Sequence, residues 1–143
     1  MKKLIATMLV AVIAAIALVG CTQTLSAGSV KSGLEKAGYT VDTYDKNTFE
    51  SAQLTVALET SKMEGLQSVV YAYKKVDDRT DGILILIFDN IDHADKVGNS
   101  VIALMNTFGR SHAPESDSSV VGTHNNVVWA GSSAARKAAG INI

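Results

Sequence analysis

The chain has one cysteine, Cys21, and one proline, Pro114, in 143 residues, and its aromatic complement is one tryptophan, four tyrosines and three phenylalanines. A lone cysteine cannot form an intramolecular bridge, so stability has to come from packing rather than from a disulfide framework. The scarcity of proline, with 47% hydrophobic and only 19% charged residues, excludes a disordered or low-complexity chain. Charge of either sign is in short supply: 13 basic residues oppose 14 acidic ones, and the adjacent basic pairs are Lys2–Lys3, Lys74–Lys75 and Arg136–Lys137. Nucleic-acid binding needs clustered Lys and Arg with stacking aromatics, which this sequence does not have. The length allows one domain.

Apolar sequence is concentrated at the N-terminus. Lys2 and Lys3 precede an uncharged run over residues 4–19, and small residues then lead to the cysteine, in the tripartite layout of a secretory signal peptide. Leu18-Val19-Gly20-Cys21 resembles the lipobox of bacterial lipoproteins. That resemblance implies that the Cys21 thiol takes a diacylglyceryl group, that a signal peptidase recognises Leu18, Val19 and Gly20, and that residues 1–20 are removed. A thiolate is a far better nucleophile than a hydroxyl, which suits cysteine to the acceptor position. Two acyl chains of roughly 30 methylenes in all, at ~0.8 kcal/mol each, give on the order of 20 kcal/mol of membrane preference. An uncleaved span over residues 4–21, near the lower length limit for crossing a bilayer, and ordinary cleavage near residues 14–17 are the competing readings. The lipoprotein resemblance also implies an extracytoplasmic location, with Thr22, rather than Asp, after the cysteine favouring the outer membrane where a second membrane exists.

Residues 21–28 read as a lipidated tether reaching about 20 Å at most, and 29–143 as a single α+β domain. Ser29 is expected to cap a short helix to about residue 37, stopped by Gly38. Residues 39–44 alternate as a strand. Phe49, Ala52 and Val56 fit a helix over 49–60 capped by Asn47 or Thr48, but Leu54, Val56 and Leu58 fit a strand, and both readings stay open. A strand over 66–75, a charged turn over 76–81 and an apolar strand over 82–88 form a hairpin. A long helix follows, capped by Asn90 or Asp92, with Ile91, Ala94, Val97, Val101, Leu104, Met105 and Phe108 on one side and Gly109 at its end. After a loop over 111–118, strands over 119–124 and 127–130 turn at Asn125-Asn126. Ser132 or Ser133 then caps a last helix over 134–139, stopped by Gly140.

The element order resembles the split β-α-β-β-α-β arrangement of ferredoxin-like sheets, with an extra short helix at each end. The run Ile83–Phe88 is apolar on both faces, so a second layer must cover it. The terminal helices are the favoured cover; a dimer partner or a ligand are the alternatives.

No catalytic motif stands out. His93, His112 and His124 lack the i, i+4 spacing of helical metal ligands, and H-E-x-x-H is missing. The oxygen-rich stretch Asp89, Asn90, Asp92, Asp95 lacks the glycine and distal glutamate of an EF-hand and is accounted for as a helix N-terminus. Asp77, Asp78 and Asp81 read as a solvated loop. No G-x-S-x-G occurs, and Ser133 is followed at the third position by Arg136 rather than by lysine. Trp129, Tyr71 and Tyr73 could line a groove, but at strand spacing such residues are more often core or cross-strand pairs. The succession of a hairpin, an amphipathic helix and a V-V-W-x-G strand is loosely similar to small domains of bacterial envelope lipoproteins. The expectation is therefore a non-enzymatic, lipid-anchored binding or scaffold domain. Its expected partners are the membrane and an envelope protein or a second copy, and no cofactor or metal is expected. A small-ligand or metal-binding lipoprotein is the alternative, and an envelope hydrolase a more distant one.

Overall fold

The computed structural model describes residues 24–46, 48 and 63–143. The expected signal peptide over 1–20, the lipobox-like residues Leu18, Val19, Gly20 and Cys21, and the expected element at 49–60 lie outside the described residues. Helix α1 (Ala27–Lys36) leads to strand β1 (Thr40–Tyr44). The hairpin β2 (Leu66–Val76) and β3 (Arg79–Phe88) comes next, then the long helix α2 (Ile91–Ser111). A second hairpin, β4 (Val121–His124) and β5 (Val127–Gly131), precedes helix α3 (Ser133–Ala138).

The strands form one sheet in the order β1-β2-β3-β5-β4, and every neighbouring pair is antiparallel. This corrects the ferredoxin-like expectation, in which the first strand sits inside the sheet and runs parallel to a neighbour. Polarity explains the difference. Thr40–Tyr44 carries Thr40, Asp42 and Thr43 and stays exposed or half-buried along its length, which suits the free edge of β2. The interior position goes to β3, whose last eight residues are all buried. In the second hairpin the same logic places the fully buried β5 against β3 and the half-buried β4 outside it.

Alternation along β3 divides the core into two layers. Ile83, Ile85 and Ile87 join Val70, Ala72, Val127 and Trp129 beneath the terminal segments, contacting Val30 and Leu34 of α1, Ala135 of α3, Ala139 and Ile141. Leu84, Leu86 and Phe88 meet Ala94, Val97 and Met105 of α2 on the other face. The terminal helices thus cover the second face of β3. On α2 the inward face is Ala94, Val97, Gly98, Met105 and Gly109, with Val101 and Phe108 half-buried at its margin. Ile91 and Leu104, expected on that face, are exposed instead.

Three local expectations shift. Ser26, not Ser29, caps α1; Ser29 is its third helical residue and completes a reciprocal capping box with Ser26. Residues 25–28, expected to belong to a tether, are part of the folded domain instead, and Leu25 is fastened there: its N–H donates to Asn126 Oδ1 at 2.8 Å and its carbonyl accepts from Asn126 Nδ2 at 2.9 Å. The charged turn shrinks to Asp77-Asp78, since Val76 pairs with Arg79, and Asp77 takes the left-handed region at φ 53°. Asp81 is therefore a strand residue rather than a loop residue, and it is buried.

Candidate functional site

Three side-chain constellations carry the polar chemistry of the described residues. The most enclosed surrounds Asp81, which is 2% exposed. Its Oδ2 accepts from the Tyr39 hydroxyl at 2.5 Å and from Ser132 Oγ at 2.9 Å, and its Oδ1 accepts from Arg79 Nη1 at 2.9 Å. Ser132 Oγ also accepts from Ala135 N, so one hydroxyl caps α3 and anchors it to β3. Burial holds the Tyr39 phenol well above its ordinary value, and the Asp81 carboxylate pushes it further in the same direction. A phenol so held stays a donor. The cluster joins the start of β1, the start of β3 and α3, and every oxygen in it is committed to a partner. Its chemistry is that of a structural clasp.

The second constellation lies at the opposite end of the sheet, where α2 begins. Asn90 caps the helix by accepting from His93 N at 2.9 Å. His93 Nδ1 lies 2.6 Å from Asp89 Oδ1, and Nε2 lies 3.5 Å from Glu64 Oε1. Lys96 Nζ reaches Glu64 Oε2 at 3.3 Å. Gly65 makes the approach possible: its φ is +76°, its carbonyl accepts from Asp89 N, and a Cβ there would collide with the His93 ring and the Asp89 carboxylate. The hydrogen bond that His93 donates to Asp89 raises the His93 pKa above its ordinary value. Desolvation and Lys96 oppose the shift, while the charges of Asp89 and Glu64 support it. An Asp–His pair is the orienting half of a hydrolytic triad. Here the second ring nitrogen faces another carboxylate rather than a hydroxyl or thiol, so the geometry bridges the turn at Gly65 to α2, as an ion pair when the ring is protonated.

The third constellation closes the far end of α2. The rings of Phe108 and His112 stack with centroids 4.0 Å apart, and Tyr71 meets both edge-on. Tyr71 also stacks on Tyr73 at 5.4 Å. Burial raises the Tyr71 pKa, and its hydroxyl stands 3.5 Å from His112 Nε2. The His112 carbonyl accepts from Gly82 N, which ties the end of α2 to β3. Tyr71 and Tyr73 are thus stacked along β2 itself, with Tyr73 exposed, rather than the core or cross-strand pair that strand spacing suggests.

The expected candidates are not brought together. His93 begins α2, His112 follows its last turn, and His124 ends β4. Among the described residues no group of three or more His, Cys, Asp or Glu side chains could hold a metal ion. Trp129 is 1% exposed, lies in the core beneath the terminal helices and has the Arg136 guanidinium over its ring at 5.4 Å, so it lines no groove. Two residues that sequence reasoning passed over hold the ends of the domain together. Asp81 was hidden by its place in a run of charged residues. The sequence marks Asn126 only as a turn former, whereas the residue is 3% exposed and its amide bonds Leu25 and Phe88 at once. Compared with known proteins, the chain matches no protein-family model, no curated protein and no solved structure.

Proposed function

We propose that this protein is a lipid-anchored domain of the bacterial cell envelope, fastened through Cys21 on the extracytoplasmic side of a membrane, where it serves as a non-catalytic binding or scaffold module for an envelope partner. The observation that carries the reading is the sequence leader. A basic start, an uncharged run and Leu18-Val19-Gly20-Cys21 stand ahead of a folded domain in which Leu25 is the first of the described residues held by a hydrogen bond to a distant part of the chain. Among the described residues, the donors and acceptors of the Asp81 and His93 clusters are committed to one another, which is consistent with structural roles for both.

Metabolic labelling with a radioactive or alkyne-bearing fatty acid in a bacterial host tests the anchor. The wild-type chain is expected to incorporate label, to lose its first 20 residues and to sediment with membranes. Cys21→Ala is expected to lose all three behaviours. Normal processing and membrane retention of Cys21→Ala would overturn the proposal. Crosslinking on intact cells, followed by identification of the captured chains, tests the scaffold role.

A further inference from the structure

The way the chain enters the domain limits how that domain can sit on a bilayer. Leu25 is held by both backbone groups to the Asn126 side chain. Asn126 in turn donates to the Phe88 carbonyl at 3.0 Å, and its own carbonyl accepts from Phe88 N at 2.8 Å. Leu25, the β4–β5 turn and the end of β3 are therefore one junction. The first residue of α2, Ile91, lies three positions beyond Phe88 and is 44% exposed. The opposite end of the sheet carries the Asp77-Asp78 turn and the Asp81 clasp.

Resting on the lipidated Cys21 proposed above, we infer that the end of the domain formed by Leu25, Asn126 and Ile91 lies against the lipid surface, with Ile91 at headgroup level and the Asp77-Asp78 turn directed away from the membrane. Chain length carries the argument. From Cys21 to Leu25 there are four residue steps, which span at most about 14 Å when fully extended. Strand β3 has ten residues, roughly 33 Å of rise. Four steps cannot bring the far end to the bilayer. Nor can they bring the outer surface of α2 down. Leu25 packs with the terminal-helix layer, and α2 lies across the sheet from it, so two layer spacings of about 10 Å each intervene. Resting on the terminal-helix side is within reach, but there the outer surface of α1 is mainly polar, with Ser29, Lys31, Ser32, Glu35 and Lys36, and the exposed apolar residues of that side include Ala37 and, past Ile141, Ile143; the label at position 32 reads that alternative.

The charge at the proposed contact sets its character. Glu64, Asp89, Asp92 and Asp95 outnumber His93 and Lys96 there. Attraction to anionic lipid is not the driving force, and the acids keep this end at the headgroups rather than in the hydrocarbon. A zwitterionic phosphatidylcholine bilayer is therefore a sufficient partner, and the contact should persist in salt, unlike one held by a basic patch.

The test uses the full chain, purified from a bacterial host in mild detergent and reconstituted into phosphatidylcholine vesicles. Single cysteines are introduced as I91C, S32C and D78C, each at an exposed position, and labelled with an environment-sensitive thiol dye. Cys21 doubles as an internal control, because a lipidated thioether does not react with the dye. Quenching by vesicles carrying spin-labelled lipid is expected to be about twofold or more stronger at position 91 than at 32 and 78, since an interfacial side chain sits within roughly 5–10 Å of the acyl boundary. Stronger quenching at 32 or at 78, or equal quenching at all three in vesicle-bound protein, would overturn the orientation while leaving the anchor intact. If the wild-type chain itself takes the dye and fails to float with vesicles, the anchor fails and the orientation falls with it.

Discussion

Replacing Asp81 by alanine removes the acceptor on which three donors converge. Arg79 is two-fifths exposed and can turn to water at little cost. The Tyr39 and Ser132 hydroxyls belong to residues that are 4% and 0% exposed, and they have no such escape. Each buried donor left without an acceptor costs about 1–3 kcal/mol, towards the upper end when the lost acceptor was charged. Removing the carboxylate also relieves its own desolvation, which offsets part of that cost. The net loss is about 3–4 kcal/mol, a large share of the roughly 5–15 kcal/mol that holds a domain folded. Urea unfolding in mild detergent, followed by fluorescence of the single tryptophan, reads this directly, because Trp129 and Tyr39 share one core layer. Tyr39→Phe deletes one of the stranded donors, so it is expected to be less damaging in the Asp81→Ala background than in the wild type. The expected coupling is about 1 kcal/mol or more. A loss below about 1 kcal/mol at unchanged urea slope, or additive behaviour of the two substitutions, would refute the clasp.

Other expectations follow from the same geometry. His93 has a pKa raised above the ordinary 6.5, chiefly by its hydrogen bond to Asp89. Its stabilising contribution is therefore complete below about pH 6.5 and is lost as pH rises through the folded value. Thermal melts across that window should show a small slope that His93→Gln abolishes and that salt weakens. An NMR titration placing the His93 pKa at or below 6.5 would contradict the bridge to Asp89 and Glu64. On α2, Met105→Ala should cost about 2–5 kcal/mol because the side chain is fully buried, whereas Leu104→Ala should stay within about 0.5 kcal/mol; chemical denaturation showing the reverse order would mean that the helix faces have been exchanged. Asn126→Ala removes both bonds to Leu25 and should lower stability by about 2–3 kcal/mol. Hydrogen exchange at Leu25 should then accelerate, and unchanged protection there would refute the junction.

Much of the architecture is readable from local pattern. Residues 83–88 announce a strand covered on both sides, and the 3.6-residue period of 94, 97, 101, 105 and 108 announces a helix of about the right extent. The polarity of residues 40–44 also marks an edge strand, which by itself argues against placing that strand inside a ferredoxin-like sheet. The caps of α2 and α3 fall on Asn90 and Ser132, each one of the two expected residues, whereas the cap of α1 was legible by type but not by position, because Ser26 and Ser29 are equally good capping residues and the choice between them depends on where Leu25 is held. The charged stretch at 77–81 misleads for a related reason. Only the register set by the two-residue turn shows that Asp81 falls inside a strand and under α3.

The sequence by itself determined the succession of the described helices and strands and the two-layered demand of Ile83–Phe88, since each depends on residues adjacent or nearly adjacent in the chain. The tertiary structure decided which strands pair within the sheet and which polar side chains go inside. Asp81 is satisfied by Tyr39 and Ser132, 42 and 51 positions away, and Asn126 by Leu25, 101 positions away. A buried polar group is tolerated only when its partners arrive with it, and partners so distant leave no periodic trace in the sequence.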